Sequence, residues 1–316
     1  MNNLAIKPDE RVLVIGSTGF IGGRLVPELL SKGIKLRLLV RNPSKLSPSI
    51  LKNERIEVVK GDLLKNEGLQ EAFHAIHSAY YLVHSMGGKS IFSNKEFVKA
   101  DKLAAKNFVT AADAAGLKRV IYLGGLGEKG KNLSEHLRSR AEVAEILSSG
   151  KTLATVLRAA VIIGAGGASY EMLRHLVARL PVMLCPKWID TKIQPIAVRD
   201  VLAYLLGCLL NPETAGKVFD IGGPEIMTYH EMMQQYAKAK GLCPRLIVRV
   251  PVLSPRLAAY WIDLVTPVPS GIAHPLIEGL KNEVICHENS IDQYVSVGKT
   301  TFLEAVKIAI EEEVAV

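Results

Sequence analysis

Short apolar runs alternate with amphipathic stretches through the first half of the chain. Six runs have the length and β-branched content of buried strands: 12–15, 35–40, 55–60, 79–83, 119–123 and 153–158. Four stretches between them have helical periodicity: 24–31, 65–75, 94–115 and 134–147. Strands that alternate with helices in this way predict an α/β fold, a doubly wound parallel sheet with right-handed crossovers.

The regular alternation ends near residue 160. Glycines at 164, 166 and 167 mark a loop, and a short extended piece at 180–186 lies between two prolines. A further helix starts at Val198, and 217–224 predicts another strand and turn. We therefore divide the chain into a core at 1–160 and a smaller C-terminal α/β region at 161–316. The second region is intertwined with the core, and we expect it to bind substrate or a partner.

The first predicted strand is followed by three glycines, Gly16, Gly19 and Gly22, that open a helix. In a Rossmann sheet the first glycine permits the sharp turn, the second lets a pyrophosphate approach the backbone, and the third lets the helix pack closely on the strand. The N–H groups of the first helical turn then face an anion. We assign dinucleotide binding to Gly16, Ser17, Thr18, Gly19, Phe20, Ile21 and Gly22. The alternative is a purely structural glycine turn.

The end of the second strand bears on which cofactor is bound. NAD-selective folds carry an acidic residue here for the ribose hydroxyls, yet no acid lies between residues 35 and 49. Arg37, Arg41 and Lys45 are present instead, and a guanidinium at Arg41 suits a 2′-phosphate. The sequence favours NADP(H), with NAD(H) as the alternative cofactor. A solvated basic loop is the structural alternative.

The next two strand ends supply further candidates. Asp62 and Leu63 follow the third strand, where Asp62 is placed for an adenine amino group or, alternatively, as the N-cap of the helix at 65–75. His84 and Ser85 follow the fourth strand and are expected beneath the nicotinamide half. His74 and His77 lie three residues apart on that predicted helix, but no third ligand is near, so we predict no metal site.

Composition narrows the functional classes. The chain has 316 residues, 48% of them hydrophobic and 22% charged, which is typical of a globular protein. No apolar run of membrane-spanning length and no signal-peptide core is present, so a cytoplasmic location is expected. Four scattered cysteines predict reduced thiols without a zinc site or disulfide framework.

The basic residues are spread along the chain and are not concentrated in one segment. The net charge is +8, but no basic run with interleaved aromatic residues is present, so nucleic acid is not an expected partner. Weak attraction to an acidic membrane surface is the alternative. The apolar, proline-punctuated stretch at 245–280, with Trp261, fits a substrate-pocket wall, a partner surface, a membrane-surface helix or plain core.

Several motifs together resemble a known family. They are the glycine triplet, Asp62, and the segments 81–86 (YLVHSM), 121–126 (IYLGGL), 194–201 (QPIAVRDV) and 219–224 (FDIGGP). The chain resembles the atypical short-chain dehydrogenase/reductases, above all bacterial NAD(P)H-binding, epimerase-like proteins. These are also similar to the short-chain-dehydrogenase-like accessory subunit of respiratory complex I.

The resemblance also carries expectations about catalysis. Active family members use a serine after the fifth strand and a Tyr-x-x-x-Lys pair on the next helix. Here Gly124-Gly125-Leu126 replaces the serine region, and His136 and Arg140 stand at the tyrosine and lysine positions. Arg140 can donate to ribose hydroxyls, and His136 can shuttle a proton or can simply be an exposed residue of the first helical turn. Tyr170, four residues before Arg174, is a second catalytic candidate, with packing between domains as its alternative.

Two functions follow from these residues. The first is an NADPH-dependent reductase of a small apolar carbonyl, enone or quinone, with His136 or Tyr170 delivering the proton. The second is a non-catalytic NADP(H)-binding module, in which the cofactor stabilises the fold or reports redox state to a partner. Loss of the serine and tyrosine favours the second, whereas a basic residue at Arg140 supports cofactor binding in both.

Overall fold

A computed structural model describes residues 4–84, 94–127, 134–250 and 265–314. The strands are β1 (Arg11–Ile15), β2 (Lys35–Val40), β3 (Ile56–Lys60), β4 (Ile76–Tyr81), β5 (Arg119–Gly125), β6 (Leu153–Ala159), β7 (Ile162–Ile163), β8 (Val182–Pro186), β9 (Lys192–Ile193), β10 (Ile196–Ala197), β11 (Val218–Ile221), β12 (Met227–Thr228) and β13 (Leu246–Val250). The helices are α1 (Phe20–Ser31), α2 (Pro48–Leu51), α3 (Leu69–Phe73), α4 (Asn94–Ala115), α5 (Glu135–Ser148), α6 (Ala168–Arg179), α7 (Val198–Leu210), α8 (Tyr229–Ala239), α9 (Ser270–Gly279) and α10 (Phe302–Val314).

Seven strands form the central sheet, in the order β3-β2-β1-β4-β5-β6-β11. Every neighbouring pair is parallel, so the predicted doubly wound sheet is confirmed. The chain order reverses between β1 and β4. In open parallel sheets this reversal leaves a crevice beyond the carboxyl ends of the strands, which is where ligands bind.

The apolar pattern of β1 explains why helices cover both faces of the sheet. Alternate side chains of a strand point to opposite faces. Val12 and Val14 pack in the core that α1 and α7 cover, whereas Leu13 and Ile15 pack in the core beneath α3 and α4. Because both faces of the strand are buried, none of these four residues faces solvent, and their sequence is a continuous apolar run.

The seventh strand comes from beyond residue 160. β11 pairs with β6, and α7 packs against α1, so the C-terminal half of the chain returns to the first sheet. Buried polar contacts hold this return in place. The Asp220 carboxylate accepts from Arg158 Nε at 2.7 Å, and Gln194 Nε2 donates to the carbonyl of Gly223 at 2.8 Å.

The motif at 194–201 also contributes to this packing. The buried Asp200 carboxylate accepts from the backbone N–H of Thr300 at 2.7 Å and from its hydroxyl at 2.8 Å. Two segments of the sequence resemblance, 194–201 and 219–224, therefore hold the C-terminal half against the sheet.

The stretch after β3 differs from the predicted structure. The helix expected at 65–75 is only Leu69–Phe73, because Asp62 and Glu67 pair through their backbones and Gly68 turns with a φ of +71°. The fourth strand consequently starts at Ile76, earlier than predicted. His74 ends α3 and His77 lies within β4, so the two histidines are not on one helix.

Other local predictions are confirmed. Ser134 caps α5 by accepting from the N–H of Leu137 at 3.3 Å, and Gly116, with a φ of +66°, follows the end of α4. The extended piece at 180–186 is β8, which pairs in parallel with β13. Trp261 lies outside the described residues. Within the described ranges no helix is long and apolar enough to cross a membrane.

Candidate active site

A cleft of about 460 Å³ lies at the carboxyl ends of β1 to β4. Six of the residues assigned from the sequence line it: Gly16, Thr18, Arg41, Asp62, Leu63 and His84. They come from four different strand ends that the sheet order brings together. The predicted Ser85 lies outside the described residues.

Gly16 and Gly22 are required by the backbone geometry of the turn. Gly16 has a φ of +94°, and a Cβ there would lie 2.6 Å from the carbonyl oxygen of Leu82. A Cβ on Gly22 would lie 2.2 Å from the carbonyl oxygen of Gly16, so no side chain fits between helix and strand. These contacts match the turn and close-packing roles expected of the first and third glycines.

The turn presents unpaired donors. The first intrahelical bond of α1 runs from the N–H of Gly23 to the carbonyl of Gly19, at 2.8 Å. The N–H groups of Phe20 and Ile21 precede it, and such groups have no partner within a helix. The Ser17 hydroxyl beside them is buried and has no hydrogen-bond partner among the described residues. A cradle of buried, unpaired donors at a helix N-terminus fits a phosphate group.

Phe20 and Ile21 contribute backbone rather than side chains to this turn. The Phe20 ring packs against the loop after β7, where a Cβ on Gly167 would come within 2.8 Å of its Cζ atom. The Ile21 side chain packs against the core between β1 and α7. The loop after β7 thus contacts the first turn of α1.

The basic residues near β2 have separate roles. Arg37 is buried and donates to the Glu57 carboxylate, at 2.9 Å from Nε, and to the carbonyl of Glu71, at 2.9 Å. Its charge is therefore paired within the fold. Arg41 is exposed, lines the cleft, and forms no ion pair or hydrogen bond with any residue in the described part of the chain.

Asp62 lies at the floor of the cleft. Its Oδ1 accepts from the N–H of Leu64 at 2.8 Å, which forms a local turn. The alternative role of Asp62, as the N-cap of the following helix, is wrong, because α3 begins at Leu69 with Gly68 in the N-cap position. Leu63 beside it is buried, and its carbonyl accepts from Asn107 of α4 at 2.6 Å.

Polar groups also gather at the ends of β4 and β5. The His84 ring stands edge-on to Tyr122, with ring centroids 6.2 Å apart, and its Nδ1 is buried without a partner among the described residues. The Tyr122 hydroxyl donates to the carbonyl of Arg140 at 3.3 Å. These contacts bring β4, β5 and α5 together next to the cleft.

Asp101 of α4 is a site residue that the sequence analysis missed. It is buried, lines the cleft, and its Oδ2 accepts from the Ser139 hydroxyl at 3.3 Å. In the sequence it is one acid in an alanine-rich helix of 22 residues, and its burial follows only from the packing of α4 on α5. A buried acid in a cleft is a common feature of functional sites.

His136 and Arg140 lie one turn apart on α5, as predicted. Burial lowers the pKa of His136 below its usual value, and the Asp101 carboxylate opposes that shift. Arg140 is buried, and its Nη1 has no hydrogen-bond partner among the described residues. Burial also lowers the pKa of Arg140, although a guanidinium keeps its charge at neutral pH. A desolvated cation with an unpaired donor fits a polar ligand.

Gly125, the last residue of β5, lies close to the side chains of α5. A Cβ at this position would lie 3.2 Å from Leu137 Cδ2 and 3.4 Å from Arg140 Cγ. The stem of Arg140 therefore occupies the space into which a side chain at residue 125 would extend. The glycine allows α5 to approach the end of the strand closely.

Tyr170 does not join this group. It is fully buried in the core of the C-terminal region, with its ring 6.0 Å from that of Tyr236, and it does not line the cleft. Burial, the neighbouring Tyr236 and the Glu313 carboxylate all raise its pKa. These surroundings agree with a packing role for Tyr170 and not with a position beside a cofactor.

The comparisons with known proteins agree with this geometry. The chain is 27% identical over 276 residues to the mitochondrial NADH dehydrogenase (ubiquinone) 1 alpha subcomplex subunit 9 of Arabidopsis thaliana, covering 84% of this chain and 67% of that protein. It is 28% identical over 238 residues to the ceramide reductase of Caulobacter vibrioides, covering 75% of this chain and 72% of the relative.

Solved structures share the fold. The Citrobacter sp. triphenylmethane reductase complexed with NADP(H) superposes with a TM-score of 0.72 at 20% identity, covering 94% of this chain and 99% of that one. The family described as NAD(P)H-binding matches residues 16–175. That match spans the glycine turn, Asp62, His84, His136 and Arg140, and it confirms the resemblance seen in the sequence motifs. The chain belongs to the NAD(P)H-binding family.

Proposed function

We propose that the protein is an NADPH-dependent reductase of a small apolar carbonyl, enone or quinone compound. The observation that carries the proposal is a group at the contact between α4 and α5: the buried Asp101, which lines the nucleotide cleft, with the half-buried His136 and the buried Arg140 of α5. The Asp101 carboxylate acts on the titratable His136, and Nη1 of Arg140 has no hydrogen-bond partner among the described residues. Relatives whose names describe reductases, such as the Caulobacter ceramide reductase, support the same reaction class.

The preference for NADPH rests on Arg41. Its guanidinium lines the cleft and is not paired with a described carboxylate, so it is available to a 2′-phosphate. Arg37, by contrast, is already paired with Glu57. The Escherichia coli quinone oxidoreductase QOR2, whose structure holds NADPH, shares this fold with a TM-score of 0.71.

Asp101, His136 and Arg140 each have a distinct part in the proposed reaction. A bound nicotinamide supplies the hydride. Protonated His136 gives a proton to the oxygen of the substrate, which takes the general-acid role that tyrosine has in related enzymes. Asp101 favours the protonated ring, because its carboxylate raises the pKa of His136 against the effect of burial. Arg140 holds a polar group of the cofactor or substrate through its unpaired Nη1.

A steady-state assay tests this function. Purified protein and NADPH are mixed with a panel of apolar aldehydes and quinones, and the nicotinamide absorbance is followed. We expect turnover that falls about 100-fold or more in His136→Ala, since general acids contribute on that scale. Tyr170→Phe is the matched control and is expected to keep the wild-type rate, because Tyr170 is fully buried in the core of the C-terminal region.

A non-catalytic NADP(H)-binding module is the second candidate. Two observations favour it: Gly124-Gly125 stands where active relatives carry serine, and the chain is similar to a subunit of the Arabidopsis NADH dehydrogenase. Tight NADPH binding without turnover on any compound of the panel supports the module and overturns the reductase.

A further inference from the structure

A second cavity, of about 400 Å³, lies in the C-terminal region and shares no lining residue with the nucleotide cleft. Its lining side chains come from α6, β8, α8, α9 and the turn after β8. Those in the described part of the chain are apolar or aromatic apart from the Cys185 thiol, and they include Leu176, Met183, Trp188, Met233 and Ile277. An apolar cavity of about 150 Å³ already takes a benzene-sized molecule, so this one accommodates a considerably larger apolar group.

One hydroxyl group in this lining has no partner. Tyr229 lines the cavity and is 4% exposed, and its hydroxyl forms no hydrogen bond with a described residue. Burial raises the pKa of Tyr229, so the group remains an O–H donor. A buried hydroxyl left without an acceptor is costly, which indicates a ligand oxygen as its missing partner.

The cavity continues onto an apolar surface. Val182 and Leu184 of β8 line the cavity and are also 52% and 61% exposed. They pair in register with Leu246 and Val248 of β13, which are 61% and 42% exposed. An apolar molecule longer than the cavity therefore meets further apolar surface at these residues.

The cavity is connected to the proposed catalytic helix through α9. Ile277 and Leu280, at the end of α9, line the cavity, and α9 packs against α5. The N-cap residue of α5 also contacts the segment that follows α9, because the N–H of Ser134 donates to Asn282 Oδ1 at 3.2 Å. Leu137, next to His136, packs against the core that contains Ile277.

We propose that this cavity binds the aliphatic chain of the substrate, and that the Tyr229 hydroxyl donates a hydrogen bond to an oxygen on that molecule. Within the proposed substrate class, this assigns the protein to apolar carbonyl compounds that carry an aliphatic chain rather than to sugar-linked ones. Calling the ligand a substrate rests on the proposed reductase function, whereas binding in the cavity does not require turnover.

Calorimetric titration with 2-hexanone, 2-octanone and 2-decanone tests the site in the whole chain without cofactor. We expect the Kd to fall about threefold to fourfold for each added methylene, as for transfer of that group from water to an apolar site. Tyr229→Phe is expected to raise the Kd for 2-decanone by about threefold to tenfold, because one neutral hydrogen bond is lost.

A cavity-filling variant provides the second arm. Leu176→Trp is expected to weaken 2-decanone at least tenfold and 2-hexanone much less. The control is Leu210→Trp at the exposed end of α7, which is expected to bind as wild type does. If Leu176→Trp fails to fold, the chain-length series on the wild type and Tyr229→Phe still decide.

A Kd that does not change with chain length in the wild type overturns the cavity assignment, and an unchanged Kd in Tyr229→Phe overturns the role of that hydroxyl. These failures are distinct from failure of the proposed function. Chain-length-dependent binding without NADPH oxidation refutes the reductase and leaves the cavity standing. Turnover of short carbonyls without chain-length dependence refutes the cavity alone.

Discussion

The hydroxyl of Ser139 lies 3.3 Å from the carboxylate of Asp101 and donates a hydrogen bond to it across the α4–α5 contact. Both side chains are buried. The contact fixes the carboxylate relative to the helix that carries His136. The Asp101 charge is therefore held at a fixed position relative to the proposed proton donor, unlike the charge of a flexible surface side chain.

Replacing Asp101 with asparagine is expected to move the pH profile of reduction toward acid. His136 has a pKa lowered by burial, so the protonated acid is present below that pKa and the rate falls as pH rises through it. Without the opposing carboxylate the pKa of His136 falls further. The measurement is kcat/KM between pH 5 and 8, expected to shift in Asp101→Asn.

The matched control for this prediction is Glu145→Gln, which changes an exposed acid on α5, the helix that carries His136. Its profile is expected to follow that of the wild type. If the Asp101→Asn and wild-type profiles superimpose, Asp101 does not tune the proton donor.

The cofactor preference is expected to depend on Arg41. Arg41→Ala removes the charge that faces the 2′-phosphate, and charge-assisted hydrogen bonds of this kind contribute about 1.5–3 kcal/mol. We therefore expect the Kd for NADPH to rise about tenfold to 100-fold while that for NADH changes less than threefold, both measured by calorimetry. Lys52→Ala, another exposed cation after β2, is the control. Equal weakening of both nucleotides contradicts the assignment.

Two adjacent glycines provide an internal comparison for the turn. A Cβ on Gly22 would lie 2.2 Å from the Gly16 carbonyl oxygen, whereas one on Gly23 meets its nearest atom, the Ser17 carbonyl oxygen, at 3.6 Å. We expect Gly22→Ala to cost about 1–3 kcal/mol of unfolding free energy and most of the NADPH affinity. Gly23→Ala is expected to be neutral or slightly stabilising, as alanine is in a helix interior.

Denaturant unfolding and nucleotide titration of both glycine variants check this prediction. Similar behaviour of the two variants would show that the close approach of α1 to the turn is not what binds the nucleotide.

The nucleotide half of the site was largely predictable because its signals are local. Gly16 and Gly22 mark backbone positions that exclude a Cβ, and Ser134 is a cap whose partner is three residues away. The basic side chains around β2 were harder to separate. Arg37 and Arg41 look alike in sequence, and only the packing of α3 and β3 shows that Arg37 is already paired.

The remaining differences arise from long-range contacts. The burial of Asp101 depends on which side of α4 meets α5, and the sequence does not distinguish it from the other two acids of this alanine-rich helix. The segment 217–224 was expected to form a strand. Its place beside β6, however, depends on long-range hydrogen bonds such as that from Arg158 to Asp220, 62 residues apart. Tyr170 has the right spacing from Arg174, yet its helix packs into the C-terminal core.

A single-turnover experiment tests the central claim most directly. The protein is loaded with one equivalent of NADPH and mixed with an excess of an apolar aldehyde or quinone from the panel, and the nicotinamide absorbance is followed for the wild type and His136→Ala. We expect equal NADPH affinity in both proteins and a decay about 100-fold or more slower in the variant. Equal decay in the two proteins, or bound NADPH that no acceptor oxidises, contradicts the account.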